Sequence, residues 1–111
     1  MKTYKLYTLD NDFIEEMNIF PDNFTGIIKY IGGSKAWFLN GKLHNENNHA
    51  VEYQGGAKRW CINGKSHRLD GPAYESPSGL KQWYIDDQEI IGATPESFKL
   101  LVDIMRLKGL L

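Results

Sequence analysis

Three tryptophans set the terms for this chain. Trp37, Trp60 and Trp83 follow one another at intervals of 23 residues, and the same step relates Gly33, Gly56 and Gly79, then Lys35, Lys58 and Lys81. It also relates Asn40, Asn63 and Asp86, His44 and His67, Ala50 and Ala73, and Glu52 and Glu75. Repetition at one offset without gaps implies like supersecondary units that bury their apolar faces on each other. The fullest copy, 56–75, reads GAKRWCINGKSHRLDGPAYE, and the copy before it GSKAWFLNGKLHNENNHAVE. A third begins GLKQWYIDD and stops, and Ile27-Ile28-Lys29-Tyr30 stands as a half copy ahead of the first.

Each unit holds two short runs of period-two alternation, the mark of a half-buried strand. Glycines between paired runs, at 32–33 and 55–56, suit hairpin turns, as does Ser76-Pro77-Ser78-Gly79. Asn40-Gly41 and Asn63-Gly64 favour a tight turn after each tryptophan run. Trp37 with Leu39, Trp60 with Ile62 and Trp83 with Ile85 share a face, which is expected to be the core. Phe38, Arg59, Cys61 and Tyr84 would lie on the opposite face. The fold class predicted is mainly β (α+β): an antiparallel β-hairpin repeat meander, each strand pairing with the next, closed by one C-terminal helix.

A single domain over 1–111 follows, with an N-terminal cap at 1–26, the repeats at 27–92 and the helix at 94–109. In the cap, Met1 to Leu9 is expected to be a strand, Asp12 to Met17 a helical turn, and Phe20 to Gly26 a turn into the array. Thr94 is the expected N-cap, Pro95 the first helical residue and Gly109 the terminator. Phe98, Leu101, Val102, Met105 and Leu107 form the apolar stripe with which this helix would cover a face or edge of the sheet.

The unit W-[FCY]-[LI]-[ND]-[GD]-K-x-H-R-x-D-G-P-A resembles variant MORN repeats, and more closely the repeat proteins of bacteriophages and large DNA viruses with W-Y-x-N-G-x-x-H-R-x-D-G-P-A in tandem. The segment Phe20 to Gly26 and the closing helix are similar to the flanks of such phage proteins. The resemblance covers roughly Phe20 to Gly109. It implies a hairpin-repeat fold and carries no shared catalytic chemistry. The first copy departs from it, with Asn45, Asn47, Asn48 and His49 in place of Arg, Asp, Gly and Pro.

Charge is balanced, with 13 basic and 14 acidic residues. A general nucleic-acid binder needs a basic excess, and a DNA mimic a dense acidic surface, so neither is favoured. One cysteine, Cys61, allows no internal disulfide and fits a reducing compartment. No leader or membrane-length apolar run is visible, so the expected location is cytoplasmic, the host cytoplasm if the protein is viral.

His67 near Asp70 is the arrangement a general base would use, and gives the reading of a small hydrolase. Duplication of the histidine at His44 favours instead a turn-holding role for His44, His67 and Asp70, because active sites are seldom repeated unit by unit. Cys61 could serve as a nucleophile, yet its siblings Phe38 and Tyr84 mark a packing position. His44, His49 and His67 lack metal-ligand spacing, and no catalytic residue, metal or cofactor is expected. The tryptophans Trp37, Trp60 and Trp83 are assigned to packing rather than base stacking. Partner contact is assigned to Phe38, Arg59 and Tyr84 on one face, with Arg68 in the loop, since aromatics and arginine supply interface anchors. The leading expectation is a non-enzymatic, phage-encoded protein-binding repeat protein that inhibits a host defence protein. A nucleic-acid-binding module using Lys35, Lys58 and Lys81, the His67/Asp70 hydrolase, and homo-oligomerisation through a free sheet edge are the alternatives.

Overall fold

The computed structural model describes residues 3–111. Each 23-residue unit builds two hairpins that share the tryptophan-bearing segment. In the first unit β3 (Gly26–Tyr30) and β4 (Lys35–Leu39) pair across Gly32-Gly33, and the far end of β4 pairs with β5 (Lys42–Leu43) across Asn40-Gly41. The second unit repeats this with β6 (Val51–Glu52), β7 (Lys58–Arg59), β8 (Cys61–Ile62) and β9 (Lys65–Ser66). The third uses β10 (Tyr74–Glu75), β11 (Lys81–Gln82), β12 (Tyr84–Ile85) and β13 (Gln88–Glu89). Trp60 and Trp83 interrupt the strand, so β8–β9 and β12–β13 stand as separate two-stranded sheets. The main sheet runs β11-β10-β7-β6-β4-β3-β1-β2.

The tryptophan backbone belongs to both hairpins. Trp37 and Trp60 donate their N–H groups to Ala50 and Ala73 carbonyls of the next unit, at 2.8 Å each. Their carbonyls accept from His44 and His67 N–H groups at 3.0 Å. Trp83 accepts from Ile90 in the same way. Equal spacing in sequence is therefore equal position in the fold.

The N-terminal segment departs from expectation. β1 (Tyr4–Tyr7) is a strand, as expected, although Met1 and Lys2 lie outside the described residues. Residues 13–17, expected as a helical turn, form β2 (Phe13–Met17). Pairing with β1 satisfies backbone groups that an isolated helical turn would leave to water, and Tyr7 meets Phe13 edge-on at 5.5 Å. β1 lies between β2 and β3, and the expected pairing of each strand with the next is skipped at three places along the path: β3 pairs with β1, β4 with β6, and β7 with β10, the last two because the hairpin strands β5 and β8–β9 lie off the path.

The core also sits on the other side from that expected in the first unit. Ala36 and Phe38 are buried with Ile28 and Val51, while Leu39 is 37% exposed and Trp37 half-buried. The tryptophan side is covered by polar loops, which hold the indoles only partly out of water. Large rings flanked by lysine and loop residues can be half-buried without forming a core. Only in the third unit does the tryptophan side become a dry cluster. There α1 (Pro95–Leu107) lays Phe98 and Val102 on Ile85, with Trp83, Leu69 and Ile90 around them. Thr94 caps α1 in a box with Ser97, and Gly109 takes a left-handed φ of 70° just beyond it. Leu107, expected in the buried stripe, is 87% exposed, because nine residues at about 3.6 per turn put it half a turn away from Phe98, on the solvent side of α1.

Candidate functional site

The histidines of the motif are joints. His44 Nδ1 accepts the Asn63 N–H at 3.0 Å, and His67 Nδ1 accepts the Asp86 N–H at 3.1 Å. Both donors are first residues of tight turns with φ near +50°, one unit further on. In the cap, Thr25 Oγ1 does the same for Asn40 at 2.9 Å. A backbone bond accompanies each: Gly41, Gly64 and Asp87 donate to Phe24, Leu43 and Ser66. An imidazole that accepts at Nδ1 carries its proton on Nε2. The Asp86 carboxylate also lies 3.2 Å from His67 Nδ1, so a protonated ring would exchange an amide donor for a carboxylate acceptor.

His67 and Asp70 do not form a couple. Asp70 pairs with Arg68 at 2.9 Å, on an exposed loop, and His67 is engaged by Asp86. Arg68 is the hub of this loop. Its guanidinium sits 3.8 Å from the Trp60 ring centroid, donates to the Pro72 carbonyl at 3.0 Å and lies 3.6 Å from Glu75. Gly71 makes room for it, since a Cβ there would fall 2.9 Å from Arg68 Cζ. The divergent first loop keeps one of these bonds with a shorter donor: Asn45 Nδ2 reaches the His49 carbonyl at 3.0 Å. His49 then fills the space between Trp37 and Trp60, with ring centroids 5.3 and 5.8 Å away. Burial pushes the His49 imidazole below its ordinary value, outweighing the pull of Glu52 at 3.9 Å.

Cys61 is 2% exposed, and burial drives its thiol up to about 11, away from the thiolate a nucleophile needs. Among the described residues no three His, Cys, Asp or Glu side chains are grouped to hold a metal ion. Lys35, Lys58 and Lys81 alternate in cross-strand register with Glu52 and Glu75, and Lys35 is 3.2 Å from Glu52. Each of these lysines thus has a carboxylate as cross-strand neighbour.

The face opposite the tryptophans carries a different chemistry. Ala36, Phe38 and Val51 floor a shallow apolar depression walled by Tyr30, Leu43 and Tyr53. Beside it, Arg59 donates to Tyr53 Oη at 3.2 Å and Ser66 Oγ at 2.8 Å. Its guanidinium lies 4.9 Å from the Tyr74 ring centroid and 5.8 Å from that of Tyr84. Tyr53 and Tyr74 approach to 6.3 Å. α1 packs on the tryptophan side of the third unit and leaves this face uncovered there, while Phe20 leans on Phe38 at its N-terminal end, 5.7 Å away.

Of the residues assigned to partner contact, Arg59 and Tyr84 are neighbours on this face. Phe38 belongs to it as a buried floor, 6% exposed, rather than as a projecting anchor. Arg68 lies in the loop on the tryptophan side, apart from these three. Tyr53 and Tyr74 complete the candidate site: the cross-strand register sets Tyr74 opposite Arg59, and Tyr53, two residues beyond Val51, reaches the guanidinium with its hydroxyl. Among the described residues no helix is long and apolar enough to cross a membrane. No family model, curated protein or solved structure matches this chain.

Proposed function

We propose that this chain is a non-enzymatic protein-binding repeat protein, phage-encoded, acting in the host cytoplasm on a host or viral protein. The observation that carries the reading is the accessible rim of Tyr53, Tyr74 and Arg59 beside the buried apolar floor of Ala36, Phe38 and Val51. A sheet face that is apolar at the centre and rimmed by tyrosine and arginine has the make-up of an interface with buried anchors. Arg59 is held rigid by two hydrogen bonds and two aromatic rings, so little side-chain freedom would be lost on docking. Inhibition of a host defence protein is the form this binding takes in the proposal, by analogy with small phage proteins.

Affinity capture from infected-host lysate, followed by calorimetry with the captured protein, tests the proposal. Tyr53→Ala, at a ring already 37% exposed, should weaken binding by roughly 30-fold or more while the circular dichroism spectrum stays unchanged. Unchanged affinity would remove this face from the interface. A steep fall of affinity with salt, traced to nucleic acid in the captured material, would overturn the protein-binding reading.

A further inference from the structure

We propose that copies of this chain assemble head to tail, the β2 edge of one pairing antiparallel with the β11 edge of the next. The main sheet has two open ends, β2 and β11. Every neighbouring pair along its eight-strand path is antiparallel, so β2 and β11 themselves run in opposite directions. An even number of alternating strands gives the β2 of a further copy the sense that pairs antiparallel with β11, once that copy is turned to follow the twist accumulated along the sheet. The contact is heterologous and leaves the same two edges free at the ends of the pair.

Side-chain register agrees with backbone direction. Glu16 stands opposite Lys5 on β1, and Lys81 opposite Glu75 on β10, in one cross-strand row. The row alternates in charge from Lys35 to Lys81 and holds Lys5, Lys29 and Lys35 side by side; continuing it across the junction sets Lys81 against Glu16 of the neighbouring copy, an opposite-charge pair. Two residues along, the same register brings Trp83 beside Phe13 and Ile14, which are 59% and 46% exposed on a solitary chain.

The β11 edge also has a vacant partner position. Trp37 and Trp60 donate their N–H groups to the next strand, whereas the Trp83 N–H has no hydrogen-bond partner among the described residues. A cleft of about 440 Å³ lies on the tryptophan side at this strand, between Lys81 and Trp83, the loop 69–72 and Pro95 and Phe98 of α1. An incoming β2 would supply the missing carbonyl, and the Phe13 ring would enter the cleft. Exposed edges are where chains add strands, and the short β11 offers a limited, specific contact rather than a long sticky one.

Sedimentation velocity over a concentration series, up to roughly 1 mM at the weak end of specific association, tests this. Average mass should rise past that of a dimer. Lys81→Glu alone and Glu16→Lys alone should each return the protein to monomer, and an equimolar mixture of the two variants should restore assembly. Phe13→Ala, at an exposed ring, provides the same test without a charge reversal and should weaken assembly at least tenfold. Circular dichroism identifies any variant that fails to fold. A wild-type monomer at every concentration, a closed dimer indifferent to these substitutions, or a mixture that stays monomeric would overturn the inference. None of these outcomes bears on the Tyr53 face, which lies on the opposite side of the sheet from Glu16, Lys81 and Phe13.

Discussion

His49 shows how a single side chain adapts when a repeat loses its pattern. The site that holds Pro72 in the second unit holds an imidazole here, packed between two indoles. Burial lowers its pKa, so the unfolded chain binds the proton more tightly than the folded one. The contribution of His49 to stability is complete above about pH 6.5 and is lost as pH falls through its lower folded value. Replacing it by phenylalanine keeps a ring in place, and the stability advantage of His49→Phe over wild type should grow between pH 7.5 and pH 5 in urea titrations. His67 makes a separate prediction. Its Nδ1 is the acceptor for the Asp86 turn, so His67→Ala should cost about 0.5–1.5 kcal/mol of unfolding free energy by thermal melting. A loss of that size would assign His67 to the joint rather than to hydrolysis.

At the level of elements, the loop 67–73 behaves as a unit that the sequence only partly discloses. A Cβ on Gly71 would crowd the Arg68 guanidinium, which could move aside only by giving up its place against Trp60 and the Pro72 carbonyl. Gly71→Ala should therefore destabilise by about 1–2 kcal/mol, and much less in an Arg68→Ala background, which a double-mutant cycle in urea would show. The position of these residues was legible in the 23-residue step, because a repeated offset fixes equivalent backbone sites. The face each strand buries was not. Period-two alternation gives two faces, and both here carry aromatic residues, Trp37 on one and Phe38 on the other. The choice was made by loops that hydrogen-bond across the tryptophan side and by Ile28 and Val51 on neighbouring strands, none of which local alternation reveals. Residues 13–17 were misjudged for a similar reason: a strand at a sheet edge is selected by its partner β1, not by its own five residues. By contrast α1 was readable almost to the residue, since Thr94, Pro95 and Gly109 act locally.

Across the whole molecule, two unlike cores are held together by one sheet. The first lies among Ile28, Ala36, Phe38 and Val51, and the second under α1. Phe98 is the main anchor of the second, 3% exposed against Ile85 and Trp83. Phe98→Ala should cost about 3–5 kcal/mol and release α1, read as lost helical signal together with a red shift of tryptophan emission from Trp83. The first core should respond little, because its contacts are confined to neighbouring strands. The candidate site follows from this division: α1 serves the tryptophan side at one end, and the face with Tyr53 and Arg59 is left open. The joints between units have a further consequence for how such a chain can change in size. A duplicated block of 23 codons would arrive already carrying its donor turn and its acceptor histidine, so an extra rung needs no newly invented seam. Only the outermost rungs must be made to order, as the threonine at one end and the helix at the other attest.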